Sequence, residues 1–150
     1  SPSLLIELSR HPNIAGVKDS SGNLSNLMEI FPSLPEEFCF FMGHGSIFLA
    51  GLLMGACGGI LAVAAAIPAL CANLYALFVE GKLEEAKKLQ LDLVPLNRLL
   101  TQTLGIPAIK HALDLLGFYG GPPRPPLLPL DEKGKREVRE ELEGLRLLSR

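Results

Sequence analysis

The spacing of hydrophobic positions changes several times along the chain, and each change marks an element. Leu4, Leu5 and Leu8 recur at helical spacing within residues 3–10. His11-Pro12-Asn13 closes that segment, because proline disfavours helix in the residue before it. Ile14 to Val17 is an unbroken apolar run, the length of a parallel strand buried on both faces. Asp19 to Asn23 then supplies a polar turn and a helix cap, and Leu24 to Phe31 the next helix. Pro32 and Pro35 punctuate the return to a second apolar strand, Phe38 to Met42. Gly43-His44-Gly45-Ser46 turns into a helix near Ile47 to Met54. Gly58-Gly59 leads into a third strand, Ile60 to Val63, and Pro68 opens a helix over Ala69 to Val79.

The unit strand–turn–helix therefore occurs three times, at intervals of about 20–25 residues. Such alternation predicts an α/β fold in which crossover helices pack on a parallel sheet. After Glu80-Gly81 the pattern is helical only. Lys82 to Val94 carries Glu84 and Lys88 on a solvated face. Pro95 to Leu104 and Pro107 to Leu116 predict two further helices. Gly117 to Pro129 is a loop with five prolines and three glycines, and Asp131 to Leu148 a charged amphipathic helix at the periphery. Three strands are too few for a finished parallel sheet, which needs both faces covered; a closed barrel needs eight strands. The expectation is that these residues form the second part of a larger α/β protein.

Composition narrows the reading. From Met42 to Val79 there is no Asp, Glu, Lys or Arg, which raises the possibility of a membrane hairpin over residues 42–79. Gly51, Gly55, Gly58, Gly59 and Pro68 interrupt that run, and its character changes from helix-like to strand-like, so a helix–strand–helix passage through a core accounts for it. Lys and Arg number 14 against 16 Asp and Glu, giving a net charge of −2, so no basic field exists to hold nucleic acid. Cys39, Cys57 and Cys71 have neither zinc-ligand spacing nor a disulfide framework, which points to a reducing compartment. The Ser-Pro-Ser start does not read as a signal peptide.

Lys18 is the residue singled out as a candidate for chemistry. It ends an apolar strand and precedes a polar turn, and in parallel α/β folds active sites are built at the carboxyl ends of strands. A lysine against a low-dielectric wall there favours its neutral amine, the form that attacks a ketone to make a Schiff base. The alternative is a lysine that snorkels out of a strand end with its stem on apolar surface.

Gly16-Val17-Lys18-Asp19-Ser20-Ser21-Gly22-Asn23 resembles the Schiff-base lysine segment of the dihydrodipicolinate synthase / N-acetylneuraminate lyase family of class I aldolases. Gly55-Ala56-Cys57-Gly58-Gly59-Ile60 is similar to the glycine-rich approach to that family's eighth barrel strand. Gly105-Ile106-Pro107 and Gly120 to Leu127 resemble its C-terminal helical region. Leu104 to Pro107 and Phe118 to Pro122 look most like the 4-hydroxy-2-oxoglutarate aldolase branch. The resemblance implies the C-terminal part of a (β/α)8 TIM barrel, with residues 1–80 in the barrel and 81–150 in C-terminal helices.

It also implies a lyase acting on pyruvate-derived 2-oxo acids, without metal or dissociable cofactor. Family members often form dimers or tetramers, so a homo-oligomer is expected, in the cytoplasm (or the mitochondrial matrix of a eukaryote). Lys18 corresponds to the Schiff-base residue. Ser20 corresponds to a substrate contact, or alternatively caps the following helix. Gly43 corresponds to a glycine whose backbone approaches the ligand, or simply makes a tight turn. Ile60 corresponds to a position whose carbonyl faces the site, while its side chain serves as strand core. Two departures stand out: Leu61 and Ala65 occupy places where the family commonly has Ser and Asn. The family's proton-relaying tyrosine belongs upstream of the lysine segment, so neither Tyr75 nor Tyr119 is assigned that role.

His44, between two glycines at a strand end, reads either as a proton donor or as a solvated turn histidine. His11 and His111 lack a partner at ligand spacing. Arg124 reads as a carboxylate binder, a barrel cap or a member of a structural ion pair. A second class of function remains open: a non-catalytic half-barrel kept as a binding or assembly module, whose unpaired strand edges and apolar face favour association.

Overall fold

In the computed structural model, which describes residues 1–148, the apolar runs become one parallel sheet. Its strands are β1 (Gly16–Asp19), β2 (Cys39–Met42) and β3 (Gly58–Gly59), in the order β1-β2-β3. Gly16 aligns with Cys39 and Asp19 with Met42; Phe41 aligns with Gly58 and Met42 with Gly59. Before the sheet comes α1 (Pro2–Leu8). Between the strands run α2 (Leu24–Ile30) and α3 (Phe48–Met54), and after β3 comes α4 (Pro68–Val79). The remainder is helical: α5 (Leu83–Arg98), α6 (Ile106–Leu115) and α7 (Glu132–Gly144).

Alternation along β2 sends Phe40 and Met42 to one face, where both are buried with Leu27 and Ile30 of α2 and Phe48, Leu49 and Leu52 of α3. The Phe40 ring lies 4.8 Å from that of Phe31. At Gly51 a Cβ would run into the Met42 thioether, so glycine is what lets α3 lie this close to β2. The same core continues through Leu74 of α4, Ala86, Leu93 and Leu96 of α5, Ala108 and Ala112 of α6, and Val138 and Leu142 of α7. The helical half and the stranded half thus share one apolar interior.

Several elements depart from the pattern-based expectation. β1 begins two residues later than the apolar run and includes Lys18 and Asp19. The third strand is the glycine pair itself rather than Ile60 to Val63: Leu61 caps a 3-10 turn over Ala62–Ala65. At Gly59 a Cβ would come within 2.8 Å of the Phe48 ring, so the sheet passes where only glycine fits and the bulkier residues fall beyond it. Pro95 does not open a helix. It lies inside α5, which runs on into a π turn at Leu99–Thr103. Pro95 and Leu91 are both exposed, so the carbonyl that proline leaves without a donor meets water. On the solvated face of α5, Glu84 pairs with Lys87 at 3.6 Å rather than with Lys88. Within the charge-free stretch, α3 has 7 residues and α4 has 12, and no helix among the described residues is long and apolar enough to cross a membrane.

Two buried amides tie α5 to the turn that follows β2. Gln90, 7% exposed, accepts from the Leu49 N–H at 2.8 Å and donates to the Gly45 carbonyl at 3.0 Å. Asn97, 3% exposed, donates to Ser46 Oγ at 2.7 Å. The Leu49 N–H belongs to the first turn of α3 and has no carbonyl within its own helix, so Gln90 acts as a cap supplied from afar. Removing a buried partner leaves the other group desolvated and unpaired. Gln90→Ala is therefore expected to lower the unfolding free energy by about 2 kcal/mol, read from urea denaturation with an unchanged slope.

Candidate functional site

The register assembles the site. Lys18 aligns with Phe41, and Phe41 with Gly58, so these residues form a row on the face opposite Phe40 and Met42. The ladder continues past the strand ends. Gly43 N–H donates to the Asp19 carbonyl at 2.6 Å, and Ile60 N–H to the Met42 carbonyl at 2.8 Å. Ser20, Gly43 and Ile60 consequently form the next row of the same face. All four residues singled out from sequence lie together at the carboxyl ends of the strands.

Lys18 Nζ donates to Ser20 Oγ at 3.2 Å. The apolar wall expected around Lys18 is missing among the described residues: the side chain is exposed, because no helix covers this face of the sheet. Gly43 is what permits the row. A Cβ there would overlap Ser20 Oγ, lie 2.6 Å from Lys18 Cδ and 2.9 Å from the Asp19 carbonyl. Ile60 is 56% exposed, so its side chain is not strand core as expected; it stands at the open face.

Ser20 does not cap α2. That place belongs to Asn23, whose side chain accepts from Asn26 N–H at 3.1 Å. The turn between is held by Asp19, whose carboxylate accepts from the backbone N–H of Ser21 and from its hydroxyl, each at 2.8 Å. Sequence reasoning gave Asp19 no role beyond the turn, although Asp with Ser two residues on is the signature of this side-chain-stabilised turn.

His44 is not a solvated turn histidine. Its ring is half-buried and packs on Gly22, where a Cβ would lie 2.7 Å from Cδ2. The Gln102 side-chain amide is hydrogen-bonded to His44 Nε2 at 2.8 Å. His44 Nδ1 is buried without a partner. Gln102, on the π turn after α5, was invisible to sequence reasoning, since nothing in a pattern links residues 58 apart. Arg124 joins no ion pair among the described residues. Tyr75 projects from α4, and Tyr119 is exposed in the loop after α6. Among the described residues no three His, Cys, Asp or Glu side chains cluster as a metal site.

A lysine hydrogen-bonded to a serine, above glycines at the ends of parallel strands, is also where the chain resembles known proteins. The profile of the dihydrodipicolinate synthetase family matches residues 1–145. The chain belongs to that family. A 4-hydroxy-tetrahydrodipicolinate synthase of Archaeoglobus fulgidus is 38% identical over 149 residues, covering 99% of this chain and 51% of the relative.

The crystal structure of a dihydrodipicolinate synthase from Bacillus anthracis superposes with a TM-score of 0.89 at 26% identity, over 95% of this chain and 49% of that one. The Aquifex aeolicus dihydrodipicolinate synthase gives 0.86 at 28% identity, over 98% and 51%. The chain thus spans about half the length of the family members it matches. Its fold is the C-terminal part of a (β/α)8 barrel with C-terminal helices. These relatives all carry the synthase name.

The tight fit at Gly43 generates a prediction. In Gly43→Ala the new methyl group must push Ser20 and Lys18 apart, at a cost of about 1–3 kcal/mol in stability. The Ser20 and Lys18 backbone NMR resonances are expected to shift, while those of α7 stay in place.

Proposed function

We propose that Lys18 is the Schiff-base residue of a lyase acting on pyruvate-derived 2-oxo acids, of the 4-hydroxy-2-oxoglutarate aldolase or 4-hydroxy-tetrahydrodipicolinate synthase kind. The observation that carries this reading is the contact of Lys18 Nζ with Ser20 Oγ, on a row of small residues at the strand ends. In the proposed reaction the neutral amine attacks C2 of the 2-oxo acid, and the carbinolamine loses water to give an iminium ion. The iminium at C2 accepts the electron pair released when the C3–C4 bond breaks, which leaves the enamine, and the enamine supplies that pair when the bond forms.

Ser20 holds Nζ over the row and offers a hydroxyl to the incoming carbonyl oxygen. Gly43 leaves room for the substrate beside the lysine stem, and the Ile60 carbonyl faces the same space. The proton step needs an acid–base group close to Nζ. Neither Tyr75 on α4 nor Tyr119 in the loop after α6 is assigned that role. Family membership supports the lyase reading. The homo-oligomeric state and the choice of aldehyde partner belong to this proposal as well.

A second reading, a half-barrel that serves as a binding or assembly module, draws on the open face. There Lys18 is exposed and Ile60 projects outward. An uncovered face that presents Phe41 and Ile60 favours association.

Reductive trapping separates the two. The longest product of the gene is incubated with pyruvate and borohydride, digested, and the peptides weighed. The lyase reading expects one reduced pyruvyl adduct, located on Lys18 and abolished in Lys18→Arg. An adduct that survives Lys18→Arg, or none in a folded protein, sinks it. Association of a trap-negative protein in sedimentation would then favour the assembly module.

A further inference from the structure

His44 directly follows Gly43 of the lysine row, and the place of its ring carries a cost. Its Nδ1 is buried without a hydrogen-bond partner among the described residues. A buried polar atom left unpaired destabilises a fold, so each such atom calls for a reason. No further segment of chain can reach Nδ1 while the ring stays where it is, because the surrounding residues already enclose it.

Two contacts hold the ring there. On one side it packs on Gly22, where a Cβ would lie 2.7 Å from Cδ2 and 3.1 Å from Nε2. Gly22 also has a φ of +71°, so backbone conformation and space both exclude a side chain at this position. On the other side the Gln102 amide is bonded to Nε2. Gln102 sits in the π turn over Leu99–Thr103, which the Leu104 N–H closes on the Leu99 carbonyl at 3.0 Å. Single widened turns of this kind recur at functional sites. His44 thereby joins the end of α5 to the turn after β1, with 58 residues of chain between it and Gln102.

That turn is the one that carries Ser20. The Asp19 carboxylate binds the N–H and the hydroxyl of Ser21, and the Gly43 N–H holds the Asp19 carbonyl, so residues 19–22 form one braced unit. Ser20 Oγ in turn accepts from Lys18 Nζ at 3.2 Å. We propose that His44 and Gln102 are positioning residues: together they brace the 19–22 turn and so set where Ser20 holds the Lys18 amine. Both act through Ser20 rather than on the substrate. The inference rests on the Schiff-base reading of Lys18. A misplacement of about 1 Å at a reacting group costs about a hundredfold in rate, so a brace remote from the amine is enough to govern its reactivity.

The test compares the longest product of the gene with two variants of it. Gln102→Leu keeps the bulk of the side chain and loses its hydrogen bond. His44→Phe keeps a ring against Gly22 and loses the bond to Gln102. Each protein is mixed with excess borohydride and a range of pyruvate concentrations, and the rate of adduct formation on Lys18 is followed by peptide mass. Both variants are expected to lose about tenfold in the maximal rate and to keep the half-saturating pyruvate concentration within about twofold. A purely structural role would lower the melting temperature and leave the maximal rate of the folded protein unchanged; that result overturns the proposal. Gln102 is exposed, so Gln102→Leu decides the matter should His44→Phe not fold. A folded wild type without an adduct removes the Lys18 reading and this one with it. Lys18 trapped at the same maximal rate in wild type and in Gln102→Leu overturns this inference alone.

Discussion

The register of three short parallel strands is the constraint on which everything else rests. With Lys18 opposite Phe41 and Phe41 opposite Gly58, the next same-face position on each strand, two residues on, brings Ser20, Gly43 and Ile60 into line. A slip of one residue would exchange the two faces of a strand. Phe40 and Met42 would then meet solvent, and the residues of the lysine row would meet the helices. The apolar contacts of α2 and α3 with Phe40 and Met42 oppose that slip, so the packing on one face fixes the lysine row on the other.

That division leaves an asymmetric sheet. Helices cover the Phe40 face, and small residues bring them close: Gly51 beneath Met42 and Gly59 beneath Phe48. The Lys18 face carries glycines for another reason, since Gly43 must clear the Lys18 stem and the Ser20 hydroxyl. The same residue type thus serves tight packing on one side and open working space on the other. Parallel sheets are ordinarily covered on both faces, and the known barrels that this chain matches over half their length are closed structures.

The alternation of strand and helix, the strand-end position of Lys18 and the α/β class were legible in the sequence, because they depend on local apolar periodicity and on glycine and proline at turns. The exact extent of β3 was not. Ile60 to Val63 have the composition of a strand, but the approach of Phe48 moved the pairing back to the glycines. Pro95 was misread as a helix start because its cost depends on whether water reaches the freed carbonyl, which is a tertiary fact. Ser20 and Asn23 compete for the cap in any sequence reading, and only the course of the Asp19 turn decides between them. Gln90, Asn97 and Gln102 were out of reach altogether. Polar residues on an amphipathic helix look solvated until the partner that buries them is known.

The amides of α5 also have a consequence in time. Gly45, Ser46 and Leu49 find their partners 45, 51 and 41 residues further along the chain, and His44 finds its own 58 residues on. During synthesis the β2–α3 turn therefore emerges long before the groups that satisfy it. Until Gln102 has cleared the ribosome, the loop beside Lys18 has water for its hydrogen-bond partners and no fixed shape. Folding of the strand-end loops is in this sense governed from downstream: the helices that look like an appendage to the sheet are made after it and complete it.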